Sequence, residues 1–392
     1  MKIAIVTYSL KIGGVESVIF SLGKELINKG FEVEIIETLE KGIWKTYFQS
    51  NGFKVVSIVK NPLMSSIRHA DQVATYLKSF DILLLNDSPY AQSVIGKLSA
   101  QSLVFPIVHL PLSSMALNAT GNKGQWNKIV AVSPLIKEFL LNEVDWLNET
   151  DIKCISNGIN TQEFSPIERD IREKKKVLFL GRLTEQKGVM MLPQIIDQIR
   201  NHRGLDCLDV YGAGPLEKEL KSAIDGLKLK SIINVKGAIE HTLVSQIIPD
   251  YDILLMTSFQ EGHPIVLLEA MACGIVPVVS LLSGSTDIVV KHGENGYLCD
   301  PGNTKQFATD LSLAIDNSRL DEMAYNARLT IEKQFSIETM CNEYITLFTS
   351  LNFPQPVRTG QVDKTLLGDY PALPSILVRP MRKTLKLLRQ ML

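Results

Sequence analysis

Cysteine is scarce and scattered. The five, Cys154, Cys207, Cys273, Cys299 and Cys341, never form a Cys-x-x-Cys pair, which argues against a disulfide framework and a zinc site and for a reducing, cytoplasmic compartment. Long apolar runs are missing too. The longest uncharged stretch, residues 270–286, is broken by Gly274, Pro277 and Gly284, short of the ~20 residues a membrane span needs. Neither sign of charge is in excess: Lys+Arg 41 against Asp+Glu 42 leaves a net charge of -1, so no global field draws the chain to nucleic acid or anionic lipid. There is no Walker A lysine motif, no His-Glu-x-x-His and no cluster of His and Cys at metal-ligand spacing. Tyr211-Gly212-Ala213-Gly214-Pro215 begins like a dinucleotide fingerprint, but Glu217 stands where the third glycine belongs.

What is present is a soluble globular composition, 45% hydrophobic and 21% charged, on a chain of 392 residues, long enough for two cores. Short β-branched or Leu-rich runs alternate with amphipathic stretches, the pattern of buried parallel strands joined by helices. Strands are expected at residues 3–6, 32–36, 54–58, 82–85, 103–108 and 128–132, then again at 177–180, 207–211, 233–236, 253–256 and 276–279. The opening run is too short for a signal peptide and reads as the first strand. Residues 16–29 form a helical pattern stopped by Gly30. A dense charge run within residues 164–176 reads as a solvated linker. The expected division is residues 1–168, 169–351 with a terminal helix at 336–351, and a proline-containing tail at 352–392.

Two segments carry chemistry. Residues 177–188, VLFLGRLTEQKG, run from a buried strand through Gly181 to Arg182 and, five residues later, Lys187, with a helix expected from near Gly188. Two cations then sit at the C-terminal edge of a parallel sheet beside a helix N-terminus, where open α/β sheets bind ligands. A diphosphate fits a planar guanidinium and a compact ammonium. For either cation alone, a solvated surface charge is the plain alternative. Residues 256–273, MTSFQEGHPIVLLEAMAC, end a strand in a polar loop, Glu261-Gly262-His263-Pro264, and enter an apolar helix with Pro264 near its first position. The free amides near Gly262 to Val266, Ile265 among them, would meet a phosphate or sugar oxygen at the helix start. Glu269 lies eight residues after Glu261, a spacing that does not put the two acids on one helix face. Glu261 suits a sugar and Glu269 ribose hydroxyls; the alternatives are an acidic helix start and a surface acid.

Together these segments resemble the retaining nucleotide-sugar glycosyltransferases of family 4. The resemblance runs over residues 1–351 and is strongest from 177 to 301, including SGSTDIVVKHGENGYLCDP. It implies a GT-B fold: two Rossmann-like domains facing each other across a cleft, the first binding acceptor, the second binding a nucleotide sugar such as a UDP-sugar. By that resemblance Arg182 and Lys187 hold the donor diphosphate, Glu261 contacts the transferred sugar and Glu269 the ribose, with no metal or other cofactor. Gly13 and Gly14 resemble the family's N-terminal glycine loop near donor phosphate. His109 occupies a place where the family often has a histidine near the sugar hydroxymethyl; taken bare, it is equally a structural histidine. Leu110 stands in place of the usual Asp, Asp287 in place of Glu and His263 in place of a frequent Phe.

From residue 373 the chain has Arg379, Arg382, Lys383, Lys386 and Arg389 and no acid, while Met381, Leu385, Leu388 and Leu392 share one helical stripe. Such a helix lies in a membrane interface or packs on the domain. The expected activity is transfer of a hexosyl or N-acetylhexosaminyl unit to a glycan or lipid-linked hydroxyl in polysaccharide or lipopolysaccharide biosynthesis, in the cytoplasm or at the inner membrane face. A GT-B epimerase or phosphorylase and a catalytically silent glycan-binding subunit stand as alternatives.

Overall fold

The computed structural model describes residues 1–11, 13–167, 174–316, 318–350, 356–368, 371–374, 376 and 378. By its contacts the chain divides into two units, one formed by Met1–Ile155 with Cys341–Leu392, the other by Ser156–Met340.

The first unit is built on strands β1 (Lys2–Thr7), β2 (Glu32–Glu37), β3 (Lys54–Ser57), β4 (Ile82–Asn86), β5 (Leu103–Val108), β6 (Ile129–Ala131) and β7 (Ile152–Cys154). They pair in parallel in the order β3-β2-β1-β4-β5-β6-β7. Central strands need apolar side chains on both faces, and Ile3, Ala4, Ile5 and Val6 are all buried. In register, Ile5 lies between Ile35 and Leu84. The helix Gly14–Asn28 buries Val18, Ile19, Leu22 and Leu26 as one stripe, and the chain turns at Gly30 with φ 86°.

The second unit carries β8 (Lys175–Leu180), β9 (Leu205–Tyr211), β10 (Ile233–Gly237), β11 (Ile253–Met256), β12 (Val276–Ser280) and β13 (Tyr297–Cys299). These pair in parallel as β10-β9-β8-β11-β12-β13. Strand alternation sorts its core into two clusters. Val177, Phe179, Leu208, Val210, Ile253 and Leu255 belong to one, Leu178, Leu254, Met256 and Val279 to the other. In each sheet the order reverses once, between β1 and β4 and between β8 and β11. Those reversals are the switch points where ligands of open α/β sheets bind.

Four expectations are corrected. The units part at Ser156 rather than at 168/169, because Ile159 and Phe164 are buried in the second unit's core. The charge run also yields at its end to strand, with Lys175 and Lys176 paired to β9. The terminal helix, observed as Ile337–Thr349, crosses back to the first unit from Cys341. There Phe348 packs its ring 6.5 Å from that of Phe31 and 5.7 Å from that of Phe105.

The fourth correction concerns the tail, whose residues 356–368 are a strap docked on the first unit. Arg358 Nη2 donates to Ser102 O at 2.6 Å, Asp363 N to Ser93 O at 2.7 Å and Gly360 N to Gly96 O at 2.8 Å. Leu366 and Leu367 are buried, and a Cβ at Gly121 would meet Leu366 at 2.6 Å. Further on, Ile376 N donates to Pro62 O at 3.1 Å. The expected basic stripe at 379–392 lies outside the described residues, as does most of the charge run at 168–176. Among the described residues no helix is long and apolar enough to cross a membrane.

Candidate active site

The second switch point brings together the segments after β8 and β11. The chain leaves β8 through Gly181 and Arg182, makes a short 3-10 turn at Glu185–Lys187 and reverses at Gly188, whose φ is 63°. The helix follows only at Met191–Gln198, so Lys187 sits in a tight turn rather than at the expected helix start. Gly188 permits a close approach: Thr257 Oγ1, just past β11, donates to Lys187 O at 3.0 Å and Gly188 O at 3.1 Å. A Cβ there would lie 2.1 Å from Thr257 O. Gly188→Ala is therefore expected to lower stability by roughly 2 kcal/mol or more, since backbone must move and a left-handed conformation must be kept. Chemical denaturation checks this, and an unshifted midpoint would show that the two segments are not locked here. Gly212 has a similar use: at φ 142° its Cβ would meet Gly181 O at 1.8 Å, so the Gly-Ala-Gly segment packs against the Arg182 turn.

The lock sets the charges. Lys187 Nζ lies 2.6 Å from Glu261 Oε1, with side chains 18% and 6% exposed. The same carboxylate oxygen accepts from Ser258 Oγ at 2.6 Å. Gln186 ties the segments further, its side chain donating to Gln260 O at 3.2 Å and its carbonyl accepting from Phe259 N at 2.8 Å. Arg182 is exposed and approaches Gln186 Oε1 at 3.4 Å. A shielded ammonium–carboxylate pair beside a solvent-facing guanidinium suits a ligand with anionic and hydroxyl groups.

From Gly262 the chain turns into the helix Ile265–Ala272, with Pro264 as its N-cap rather than its first residue. The N–H groups of Ile265 and Val266 precede the first helical bonds, which Leu267 N and Leu268 N make to Pro264 O at 3.2 and 3.4 Å, and they lie at the positive end of the helix dipole. Asn157 Nδ2 donates to His263 O at 3.3 Å, holding the turn. The His263 ring is buried, 5.5 Å from that of Phe335, and neither ring nitrogen meets a hydrogen-bond partner among the described residues. Burial lowers its pKa to about 4.

Glu269 is buried and not the surface acid of the plain alternative. Burial, reinforced by the charge of Glu163, pushes its carboxyl up to about 8. The folded state then keeps a proton that an unfolded Glu releases near pH ~4.3. Its contribution to stability is complete below that point and lost as pH rises toward 8. Glu269→Gln is expected to flatten this decline, so that its melting temperature gains on wild type between pH ~5 and ~8. Parallel declines would show that another group titrates.

The remaining expected site residues belong to the first unit. Gly13 is the N-cap of the helix Gly14–Asn28, and its carbonyl accepts from Ser17 Oγ at 3.0 Å. Its φ of 179° is ordinary extended backbone, but a Cβ there would meet Glu16 Oε2 at 2.9 Å. His109 follows β5, is buried, and lies with Nε2 2.9 Å from Oδ1 of Asn86, the last residue of β4. So Gly13, Gly14 and His109 adjoin the first sheet's strand ends, while Gly181, Arg182, Lys187, residues 261–265 and Glu269 belong to the second unit. Ser258, Gln186, Asn157 and Asn86 are polar residues the motif reading passed over; each reads in sequence as an ordinary turn or loop residue.

Two parallel sheets, each with its own switch point, and these loops define the GT-B fold. Residues 160–330 match the family model for glycosyl transferases group 1, and the fold is that of the GT-B glycosyltransferases. An uncharacterized glycosyltransferase of Haemophilus influenzae is 27% identical over 343 residues, 85% of this chain and 95% of that protein. N-acetyl-alpha-D-glucosaminyl L-malate synthase of Bacillus anthracis is 24% identical over 375 residues, covering 89% and 96%. Among solved structures, Anabaena HepE in complex with UDP shares the fold with a TM-score of 0.78 at 20% identity, over 90% of this chain and all (100%) of that one. The lipopolysaccharide outer core galactosyltransferase WaaB gives a TM-score of 0.69 at 24% identity, over 90% and 100%.

Proposed function

We propose that this chain transfers a hexosyl or N-acetylhexosaminyl unit from a nucleoside-diphosphate sugar, such as a UDP-sugar, to a hydroxyl of a glycan or lipid-linked acceptor, with retention of anomeric configuration, in polysaccharide or lipopolysaccharide biosynthesis. The observation that carries it is the Lys187–Glu261 pair, closed at 2.6 Å between the two loops of a switch point with Arg182 alongside. When the glycosidic bond to the diphosphate breaks, negative charge builds on the leaving phosphate. Two cations at that spot, Lys187 held by Glu261 and Arg182 facing solvent, stabilise the developing charge more than the ground state, the condition for rate acceleration. They take the place a metal ion would have. With the Lys187 ammonium engaged by phosphate, Glu261 accepts from sugar hydroxyls, and Glu269 accepts from those of the ribose. No separate base is assigned; the leaving phosphate takes the acceptor hydroxyl's proton.

Incubating the protein with a panel of nucleotide sugars, with and without acceptor, tests this reading. The expected result is an acceptor-dependent product whose anomeric proton coupling matches the donor's. Interconverted nucleotide sugars without acceptor, or no turnover with any donor, would contradict it.

The acid-free basic stretch at 379–392 gives the proposal a membrane side: it brings the enzyme to a lipid-linked acceptor on an anionic surface. Because Val378 is buried and Ile376 is bonded to Pro62, truncation should start at residue 379. The truncated protein is expected to lose sedimentation with anionic vesicles while keeping its melting temperature. Unchanged sedimentation would remove the membrane role.

A further inference from the structure

Asn86 ends β4 at the switch point of the first sheet, in register with Thr7 of β1 and Ile107 of β5. Its amide nitrogen lies 3.3 Å from Val6 O and 3.4 Å from Leu84 O. Those carbonyls can only accept, so the NH2 end of the amide must face them and Oδ1 must face His109. Oδ1 carries no hydrogen, and the partner 2.9 Å away, His109 Nε2, must therefore hold the proton and donate it. A neutral imidazole has a single N–H. Its other nitrogen, Nδ1, is left as a lone pair.

Both side chains are shielded, Asn86 at 4% and His109 at 7% exposure, so water competes little for this bond. Burial also lowers the His109 pKa to about 4, which keeps the ring neutral near pH ~7. The next residue, Asp87, takes the left-handed conformation with φ 41°, and its carboxylate accepts from Asn118 Nδ2 at 3.0 Å, which fixes the chain just beyond Asn86.

We propose that Asn86 is a positioning residue that locks His109 in the Nε2–H tautomer, so that the ring offers its ligand an acceptor and selects a donor sugar bearing a hydroxyl, not a carboxylate, at that point. The selection rests on the reading that His109 faces the transferred sugar; the lock does not. A hydroxyl can donate to Nδ1. A carboxylate brings only lone pairs, and a ring this hard to protonate cannot meet them.

The lock is tested on the full chain labelled with 15N-histidine, the His109 signal being identified by its loss in His109→Gln. Long-range 1H–15N correlation is expected to show Nε2 as pyrrole-type and Nδ1 as pyridine-type at neutral pH, with mixed tautomers in Asn86→Ala. A protonated Nδ1 in the wild-type protein overturns the proposal. The selection is tested by titrating UDP, UDP-glucose with UDP-glucuronate, and UDP-galactose with UDP-galacturonate. The hexose of at least one pair is expected to bind roughly tenfold or more tightly than its uronate, because a buried acceptor facing an acceptor leaves both unpaired. Asn86→Ala should narrow that ratio and leave UDP binding unchanged, which also reports that the variant is folded. Equal affinities within both pairs, with the tautomer as expected, overturn the selection and the placement of His109 at the sugar. If UDP itself does not bind, the nucleotide-sugar reading fails, while the NMR result still decides the lock.

Discussion

Replacing Lys187 by alanine is expected to lower kcat/KM for glycosyl transfer by roughly 10²- to 10⁴-fold, the range for removing one preorganised group from developing transition-state charge. The same change strips Glu261 of its cation. The carboxylate, 6% exposed, would keep Ser258 as a donor, and stability should fall by about 2–4 kcal/mol because a nearly buried charge has lost its partner. These two losses separate in the double variant Lys187→Ala with Glu261→Gln. Neutralising the acid is expected to return most of the stability and none of the transfer. Denaturation midpoints and initial rates on the three proteins check this. Transfer within a few-fold of wild type in Lys187→Ala would remove the residue from the chemistry.

Arg328→Ala is expected to cost about 2–4 kcal/mol of stability, a large effect for a residue remote from the motifs. Its Nη1 donates to Phe164 O at 2.8 Å and to Ala272 O, its Nη2 to Thr161 O at 3.0 Å and its Nε to Glu332 at 2.7 Å. One planar fork thus caps the C-terminal end of the helix that carries Glu269 and pins the loop that carries Glu163. A guanidinium is also favoured there by the negative end of the helix dipole. Lysine keeps the charge but cannot reach carbonyls on separate segments, so Arg328→Lys should recover little. Loosening both segments should weaken donor binding, seen as a raised KM. Full rescue by lysine would show that charge alone matters.

Strands announce themselves where burial on both faces demands an apolar run. That is why β1, β4, β5, β8 and β11 were legible in sequence almost to the residue, and with them both sheet edges from which the loops rise. β7 and β13, edge strands of three residues each, are too short to show a period. The docking of residues 356–368 was illegible for another reason. Its bonds run from Arg358 to Ser102 and from Asp363 to Ser93, pairings far apart in sequence, and a proline-containing stretch without periodicity hides them. Of the candidate site, the motifs identify Arg182, Lys187, Glu261 and Glu269. The Lys187–Glu261 contact is a tertiary fact made possible by Gly188, and Glu269's burial follows from packing on every side of a short apolar helix. Asn86 and Arg328 read in sequence as a turn residue and a surface cation, because what they bond to is set by the folded chain.

The most direct measurement is the thermal shift of wild type, Lys187→Ala and Glu261→Gln titrated with a nucleoside-diphosphate sugar. A ligand held by the native state at 100 times its Kd adds about 2.7 kcal/mol of apparent stability. Wild type should therefore gain several degrees with at least one donor, and Lys187→Ala should lose that gain at the same concentration. A shift of equal size in wild type and both variants would place the nucleotide sugar elsewhere and contradict the assignment.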